Sequence, residues 1–521
     1  MISLRVFVLC SVSWLMDINS YCNAHDYFEI QVIDKETRRG VPMVELTTVD
    51  DVVYMTDSAG RVALHEPELV GTTVFFKVHS PGYQIARDGF GIEGLRLKVD
   101  PGKAALVELT RINLAERLYR ITGRDIYLDT VRLGHKAPIL APLISGKVVG
   151  QDSVQAVIYK NQIHWYWGDT NQLQYPLGLF RTAGAVSLQP SQNGLDPSDG
   201  IDLQYFTKED GFARAMVDVP DKNGVVWIHG VCTVPDKSGA EKIVAQYSRR
   251  KGLSEPLEQG LLLWNDERSM FEVLQVIDLQ ESWRMLRDHP FSHTENGIDY
   301  LYFGNPFAVT RVPATLAAVQ DPDAYESFTC REETAEQHLT EMDLSAAKPV
   351  RDNSGKLIWA WRKAPPVTQL DERRWLKQGL IQIEEARYLP RDADKPNRIV
   401  EMHSGTVQWN AFRKRWVMIA IEHAWDKDSP SFLGEVFYSE ALTAQGPFTK
   451  AVKIATHPKQ SFYNPCHHPF FDQNEGRVIY FEGTFCNTFT NSPAVPRYNY
   501  NQLMYRLDLH SDRMQAVFGT P

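Results

Sequence analysis

The chain has 521 residues, of which 43% are hydrophobic and 23% charged, with a formal net charge of −10. Such proportions are those of a folded protein with a real core, and the length makes room for two or three domains of about 100–200 residues each. The acidic balance and the lack of any long Lys/Arg run leave no basis for a nucleic-acid partner.

Residues 1–24 read as an export signal. Arg5 is the only early charge, Val6–Leu15 is mostly apolar yet too short to span a bilayer, and Cys22-Asn23-Ala24 offers a small-residue cleavage point after Ala24. No later stretch is long and apolar enough for a membrane helix. The expectation is a soluble protein, secreted or periplasmic, with no integral membrane segment once the signal is removed. Beyond Cys10 and Cys22 the cysteines are Cys232, Cys330, Cys466 and Cys486. A Cys466–Cys486 bridge across a predicted hairpin and four free buried thiols are equal alternatives.

Residues 27–112 form a separate unit of short strands broken by Gly, Pro and Asp turns, which predicts a small β-sandwich. Phe28-Glu29-Ile30-Gln31-Val32 alternates, followed by Gly40-Val41-Pro42-Met43-Val44, Thr56-Asp57-Ser58-Ala59-Gly60 and, after Val74–Val78, Pro81-Gly82-Tyr83. This order resembles the carboxypeptidase regulatory-like, transthyretin-like sandwich, in which a "G-x-P-V" strand precedes a "T-D-x-x-G" turn and a later "G-Y". That resemblance implies an accessory module without chemistry of its own. Residues 113–150 read as a linker, with Leu114–Ile121 a candidate short helix.

From 151 to 521, aromatic-rich hairpins recur, anchored on Ile163–Thr170, Val225–Val231, Tyr300–Asn305, Trp416–Ile421 and Val478–Gly483. Repeating all-β units of this size predict a β-propeller, counted here as five blades. An irregular pair of β-sandwiches is the alternative. The fold class is thus all-β: a small sandwich plus a five-bladed propeller. Residues 340–400 break the rhythm and read as an excursion between the third and fourth blades that forms a rim or lid, with Trp375–Glu385 a candidate helix.

The stretch Gly150–Thr170 carries the most specific pattern. A two-residue turn at Lys160-Asn161 pairs Ile158 with Ile163, Ala156 with Trp165 and Val154 with Trp167, placing every apolar residue on one face. One further step sets Asp152 opposite Asp169. Two carboxyls held together drive one pKa upward, so one member acts as an acid while its partner stays ionised, which is the pairing that glycoside hydrolysis needs. In a propeller the residues just before each innermost strand converge on one pocket. Those segments contain Asp152, Gly211-Phe212-Ala213-Arg214, Asp288–His293, Glu401–Gly405 and Ser461–Pro469. From them, with the aromatic Trp167, come the candidate substrate contacts: Trp167, Arg214, His293, His403, Tyr463, Asn464 and His467. Glu435 and Glu482 are spare carboxylates.

"G-Q-D-S" and "W-G-D-T" at this spacing look like the opening blade of five-bladed hydrolase propellers that include bacterial endo-D-arabinanases. There the pattern is roughly "G-x-D-G", a strand, then "F-G-D-T"; this chain departs at Ser153, where a glycine is usual. The resemblance implies catalytic roles for Asp152 and Asp169. The expected function is an exported glycoside hydrolase acting on a polysaccharide or oligosaccharide. The alternatives are a polysaccharide lyase using His467 or Tyr463, with Arg497 neutralising a uronate, and a non-catalytic glycan- or protein-binding propeller. No cofactor is expected. No P-loop, GxGxxG, HExxH or GxSxG motif occurs, and a central cation is compatible with a propeller although no ligand spacing identifies one.

Overall fold

The computed structural model of the protein describes residues 24–331, 347–425 and 428–520. The signal-like segment up to residue 23 and residues 332–346, which include the start of the excursion, lie outside the described residues.

Residues 28–111 form two four-stranded sheets. In the first, Phe28–Asp34 pairs antiparallel with Arg61–Leu64 and parallel with Ala104–Arg111. In the second, Glu45–Thr47 lies between Val53–Met55 and Thr73–His79. The alternation visible in Phe28–Val32 turns Phe28, Ile30 and Val32 inward, where they meet Leu46, Phe76, Val78, Val107 and Leu109 from both sheets.

Five further sheets of four or five strands follow. Their innermost strands are Gln155–Tyr159, Val225–Pro235, Phe291–Glu295, Met402–Asn410 and Ser461–His467, each hairpinned to the next strand outward. Five apolar clusters lie one between each neighbouring pair of sheets, and this closes the ring. Tyr166 of the first sheet packs with Tyr247 and Trp264 of the second. Val244 and Leu261 of the second pack with Leu301 and Val312 of the third. Tyr302 of the third meets Trp416 and Met418 of the fourth. Ile419 and Tyr438 of the fourth meet Phe462 and Phe481 of the fifth, and Trp165 and Trp167 of the first meet Cys466, Tyr480 and Met504 of the fifth. The fold is a five-bladed β-propeller with an N-terminal β-sandwich. The repeating aromatic anchors are the second strands of their blades, except Val225–Val231, which lies in a first strand.

Two expectations are corrected and one pair of alternatives is decided. Leu114–Ile121 is not a helix: Glu116–Arg120 is a fully buried strand that pairs antiparallel with Asn501–Asp508 and forms the outermost strand of the fifth blade. It closes the ring with chain from before the first blade, so the segment read as a linker is part of the propeller. Arg117 also donates to the Pro42 carbonyl (2.9 Å) and the Ser80 hydroxyl (2.6 Å), tying the blade to the sandwich. Secondly, the helix in the excursion spans Gln369–Lys377, earlier than expected, because Thr368 and Asp371 form a capping box that fixes its start. Of the two alternatives for the cysteines, free buried thiols is the one found: Cys232, Cys330, Cys466 and Cys486 are all free and buried. Cys466 lies opposite Glu482 and Cys486 opposite Ser461, four residues apart along one strand, or about 13 Å at strand rise. That separation is beyond the reach of a disulfide.

Candidate active site

The Gly150–Thr170 hairpin forms between Gln155–Tyr159 and Gln162–Trp167 with Ala156 opposite Trp165 and Ile158 opposite Ile163 as expected, but Val154 lies before the first strand. The apolar residues do not share one face: Val157, Tyr159 and Tyr166 pack toward the second blade while Ala156, Ile163 and Trp165 pack toward the fifth. Lys160 and Asn161 both take positive φ (49° and 66°), the conformation of a two-residue turn matched to strand twist. At the open end the strands part. The Asp152 carbonyl accepts from the Gly168 amide (2.8 Å), and its carboxylate Oδ1 accepts from the Asp169 amide (2.9 Å). The two acids are therefore locked side by side through backbone.

Asp152 is held from the fifth blade as well. The Tyr463 hydroxyl donates to its Oδ2 (2.7 Å), and Tyr500 adds a further hydrogen bond. Burial pushes the Asp152 carboxyl above the ordinary range, while these donors favour its ionised form. The Asn464 side-chain amide donates to the Ser153 hydroxyl (2.7 Å), joining the first and fifth blades at the same point. Asp169 is buried, and its Oδ1 accepts from the indole Nε1 of Trp227 on the second blade (2.8 Å). Burial, reinforced by the neighbouring Asp152 charge, pushes its carboxyl up to about 6.

Gly168 is required where the strands part, because a Cβ there would lie 2.4 Å from Asp152 Oδ1. Gly168→Ala is expected to lower activity by at least about tenfold through displacement of that carboxylate, with the far-ultraviolet circular dichroism unchanged. Steady-state rates on any accepted substrate check it.

The other blades present their own groups at the same ends of their inner strands, where the backbone repeatedly turns left-handed or bulges. Ser153, Gly230, Asp288 and Asn464 have φ of 56°, 63°, 51° and 51°, and the fourth blade shifts register between Met402 and Gly405. A cavity of about 430 Å³ is lined by Trp227, His229, Arg250, Arg287, Asp288 and Asn305, among others. A second, of about 610 Å³, shares Arg287, Asp288 and Asn305 and continues to Glu401, His403 and His423. Its rim includes Val367–Asp371 from the excursion. Burial pushes Asp288 up to about 6. Glu401 is paired with Arg373, and His423 approaches it at 4.0 Å.

Of the residues picked from sequence, Asp152, Asp169, Tyr463 and Asn464 come together, and His403 lines the larger cavity. Four do not reach the site. Trp167 is buried between the first and fifth blades, stacked on Trp165, and offers no face to a ligand. Arg214 is held by the carbonyls of Arg268 and Ser269, on the turn after an outer strand of the second blade. His293 lies in the inner strand Phe291–Glu295, packs on Trp416 and is not among the residues lining either cavity. His467 is buried and bonded to Asp472 (2.8 Å). Glu435 and Glu482 are also buried within the blades, bonded to Lys453 and His468. Arg497 pairs with Asp129. Trp227, His229, Asp288 and Glu401 were missed; Asp288 and Glu401 stood in the flagged segments, where the histidines were preferred to the carboxylates. Among the described residues, no group of three or more His, Cys, Asp or Glu is arranged to hold a metal ion, and no helix is long and apolar enough to cross a membrane.

No protein-family model and no curated protein sequence matches the chain. Solved structures with a similar chain path include a GH43_1 enzyme from Xanthomonas citri, at 10% identity and a TM-score of 0.32, covering 70% of this chain and 90% of that one. An α-L-arabinofuranosidase from Fusarium graminearum aligns at 10% identity and a TM-score of 0.34, covering 69% and 93%. An exo-1,5-α-L-arabinanase from a bovine ruminal metagenomic library aligns at 9% and 0.33, covering 70% and 98%. None of the three is close enough to assign an activity to this chain.

Proposed function

We propose that this protein is an exported glycoside hydrolase whose acid pair is Asp152 and Asp169. The observation that carries the reading is the pair itself: two carboxyls fixed side by side, one hydrogen-bonded by two tyrosines and an amide, the other pushed up to about 6 by burial. Asp169 protonates the leaving glycosidic oxygen as the anomeric C–O bond breaks. Asp152, ionised, attacks the anomeric carbon or takes a proton from the attacking water, so that one water is consumed per bond cleaved. Residues 1–24 support export, and the strand order of 27–112 supports a carboxypeptidase regulatory-like accessory module. The lyase alternative loses His467 and Arg497, which are tied up elsewhere. The test is release of reducing ends from a glycan panel that includes arabinans, for the wild type beside Asp152→Asn and Asp169→Asn. Activity undiminished in both variants would overturn the assignment.

The same acid makes a stability prediction. Asp169 has a folded pKa of about 6, above the value near 3.9 expected when unfolded, so the folded state binds its proton more tightly. Its stabilisation is complete below about pH 4 and is lost as the pH rises through about 6. Asp169→Asn, which keeps an acceptor for Trp227, is expected to be more stable than wild type at pH 8 by up to about 3 kcal/mol, with no gain at pH 4. Urea denaturation at the two pH values measures this.

A further inference from the structure

We infer that the cavity on the second blade seats an anionic substituent of the glycan, a uronate carboxylate or a sulfate ester, between Arg250 and Arg287. The inference rests on the reading of this end of the propeller as a glycan-processing site and adds the chemical class of its substrate. The cavity, about 430 Å³, has room for a sugar ring and adjoins the acid pair through Trp227, which lines it and bonds Asp169.

The charge lining it is unusual for this chain. Many arginines elsewhere are paired with carboxylates, as Arg311 with Glu326, Arg351 with Glu385, Arg398 with Glu422 and Arg413 with Glu440, while others such as Arg117, Arg214 and Arg387 are tied to neutral oxygens. Arg287 is exposed and has no hydrogen bond or ion pair among the described residues. Arg250 donates only to neutral oxygens, those of the Ser248 hydroxyl (3.1 Å) and the Leu253 carbonyl (2.7 Å). The one carboxyl in the lining is Asp288, itself pushed up to about 6 by burial. His229 is kept neutral, down at about 4, by burial and then by the fields of Arg287 and Arg250. Both guanidiniums line the same cavity.

In a protein of net charge −10, Arg250 of the second blade and Arg287 of the segment leading into the third line one cavity whose single carboxyl, Asp288, cannot balance both. Planar guanidinium forks recognise carboxylate and sulfate oxygens in paired hydrogen bonds. A neutral sugar would leave those donors without a charged acceptor, which makes the pocket selective.

The test uses the full chain carrying Asp152→Asn, so that bound saccharide is not turned over, with affinities read by calorimetry. The probes are trigalacturonate beside its carboxyl-reduced twin, and a sulfated carrageenan oligosaccharide beside its desulfated twin. At least one charged probe is expected to bind about tenfold more tightly than its neutral twin, and which one does so distinguishes carboxylate from sulfate. Arg287→Gln should bring that ratio close to one, whereas Arg287→Lys should preserve most of it; because Arg287 is exposed and unbonded, neither change endangers folding. Arg250→Gln should act in the same direction. Equal affinity for both members of each pair, no binding of either charged probe, or a ratio unmoved by Arg287→Gln overturns the inference. Charge-dependent binding with no hydrolysis by the wild type removes the hydrolase reading and keeps the pocket. Hydrolysis of neutral glycans with a ratio near one keeps the hydrolase and removes the pocket.

Discussion

Asp152→Asn is expected to reduce turnover roughly 1,000-fold while leaving the protein folded. The size follows from where the side chain sits. Its Oδ1 receives the Asp169 amide, its Oδ2 receives the Tyr463 hydroxyl, and Tyr500 donates as well. Asparagine fills the same space and keeps one acceptor, and the tyrosine hydroxyls can rotate to accept from the new amide. The fold therefore loses little. The chemistry loses the carboxylate held beside the Asp169 acid, and neither nucleophilic attack nor activation of water can be supplied by an amide. Asp288 and Glu401 are poor substitutes, since they belong to other blades and Glu401 is already paired with Arg373. The check is a turnover ratio alongside thermal melts. A turnover loss below about tenfold would mean that Asp152 only braces Asp169.

The largest effect on stability is expected at Leu118. It is fully buried in the strand that closes the ring and packs against Trp165, Tyr480 and Met504 at the junction of the first and fifth blades. Leu118→Asp places an unpaired charge there and is expected to destabilise by about 4 kcal/mol or more, leaving aggregated or unclosed protein. Leu118→Met conserves volume and should cost less than about 1.5 kcal/mol. A propeller has no other strand to complete the fifth blade. Loss of Glu116–Arg120 would also cut the Arg506–Glu116 pair (2.7 Å) and the Arg117 bonds to the sandwich. Wild-type-like melting of Leu118→Asp would show that closure does not depend on this strand.

What could be read from sequence follows from the range of the forces involved. The turn and central register of the first hairpin were legible, since local alternation and a two-residue turn decide them, but its burial on both faces and the parting of the strands before Gln155 were not. The blades were legible as a rhythm because each repeats a buried aromatic strand. The closing strand was not legible: its partner lies some 380 residues on, and the charges of Glu116, Arg117 and Arg120, in a segment read as a short helix, are matched by groups brought in by the fold. Histidines misled for a related reason. His467 is a buried hydrogen-bonding group and His293 packs on Trp416, whereas Asp288 and Glu401, passed over beside them, line the cavities. Residue type alone does not reveal which side of a bulge a side chain falls on.

The most direct test of the acid-pair account is the product formed in ¹⁸O-labelled water, analysed by mass spectrometry on whichever glycan the panel identifies. Hydrolysis through Asp152 and Asp169 predicts saturated products with one labelled oxygen at each new reducing end, lost in both asparagine variants. Unlabelled products bearing a double bond, formed at the same rate by those variants, would contradict it.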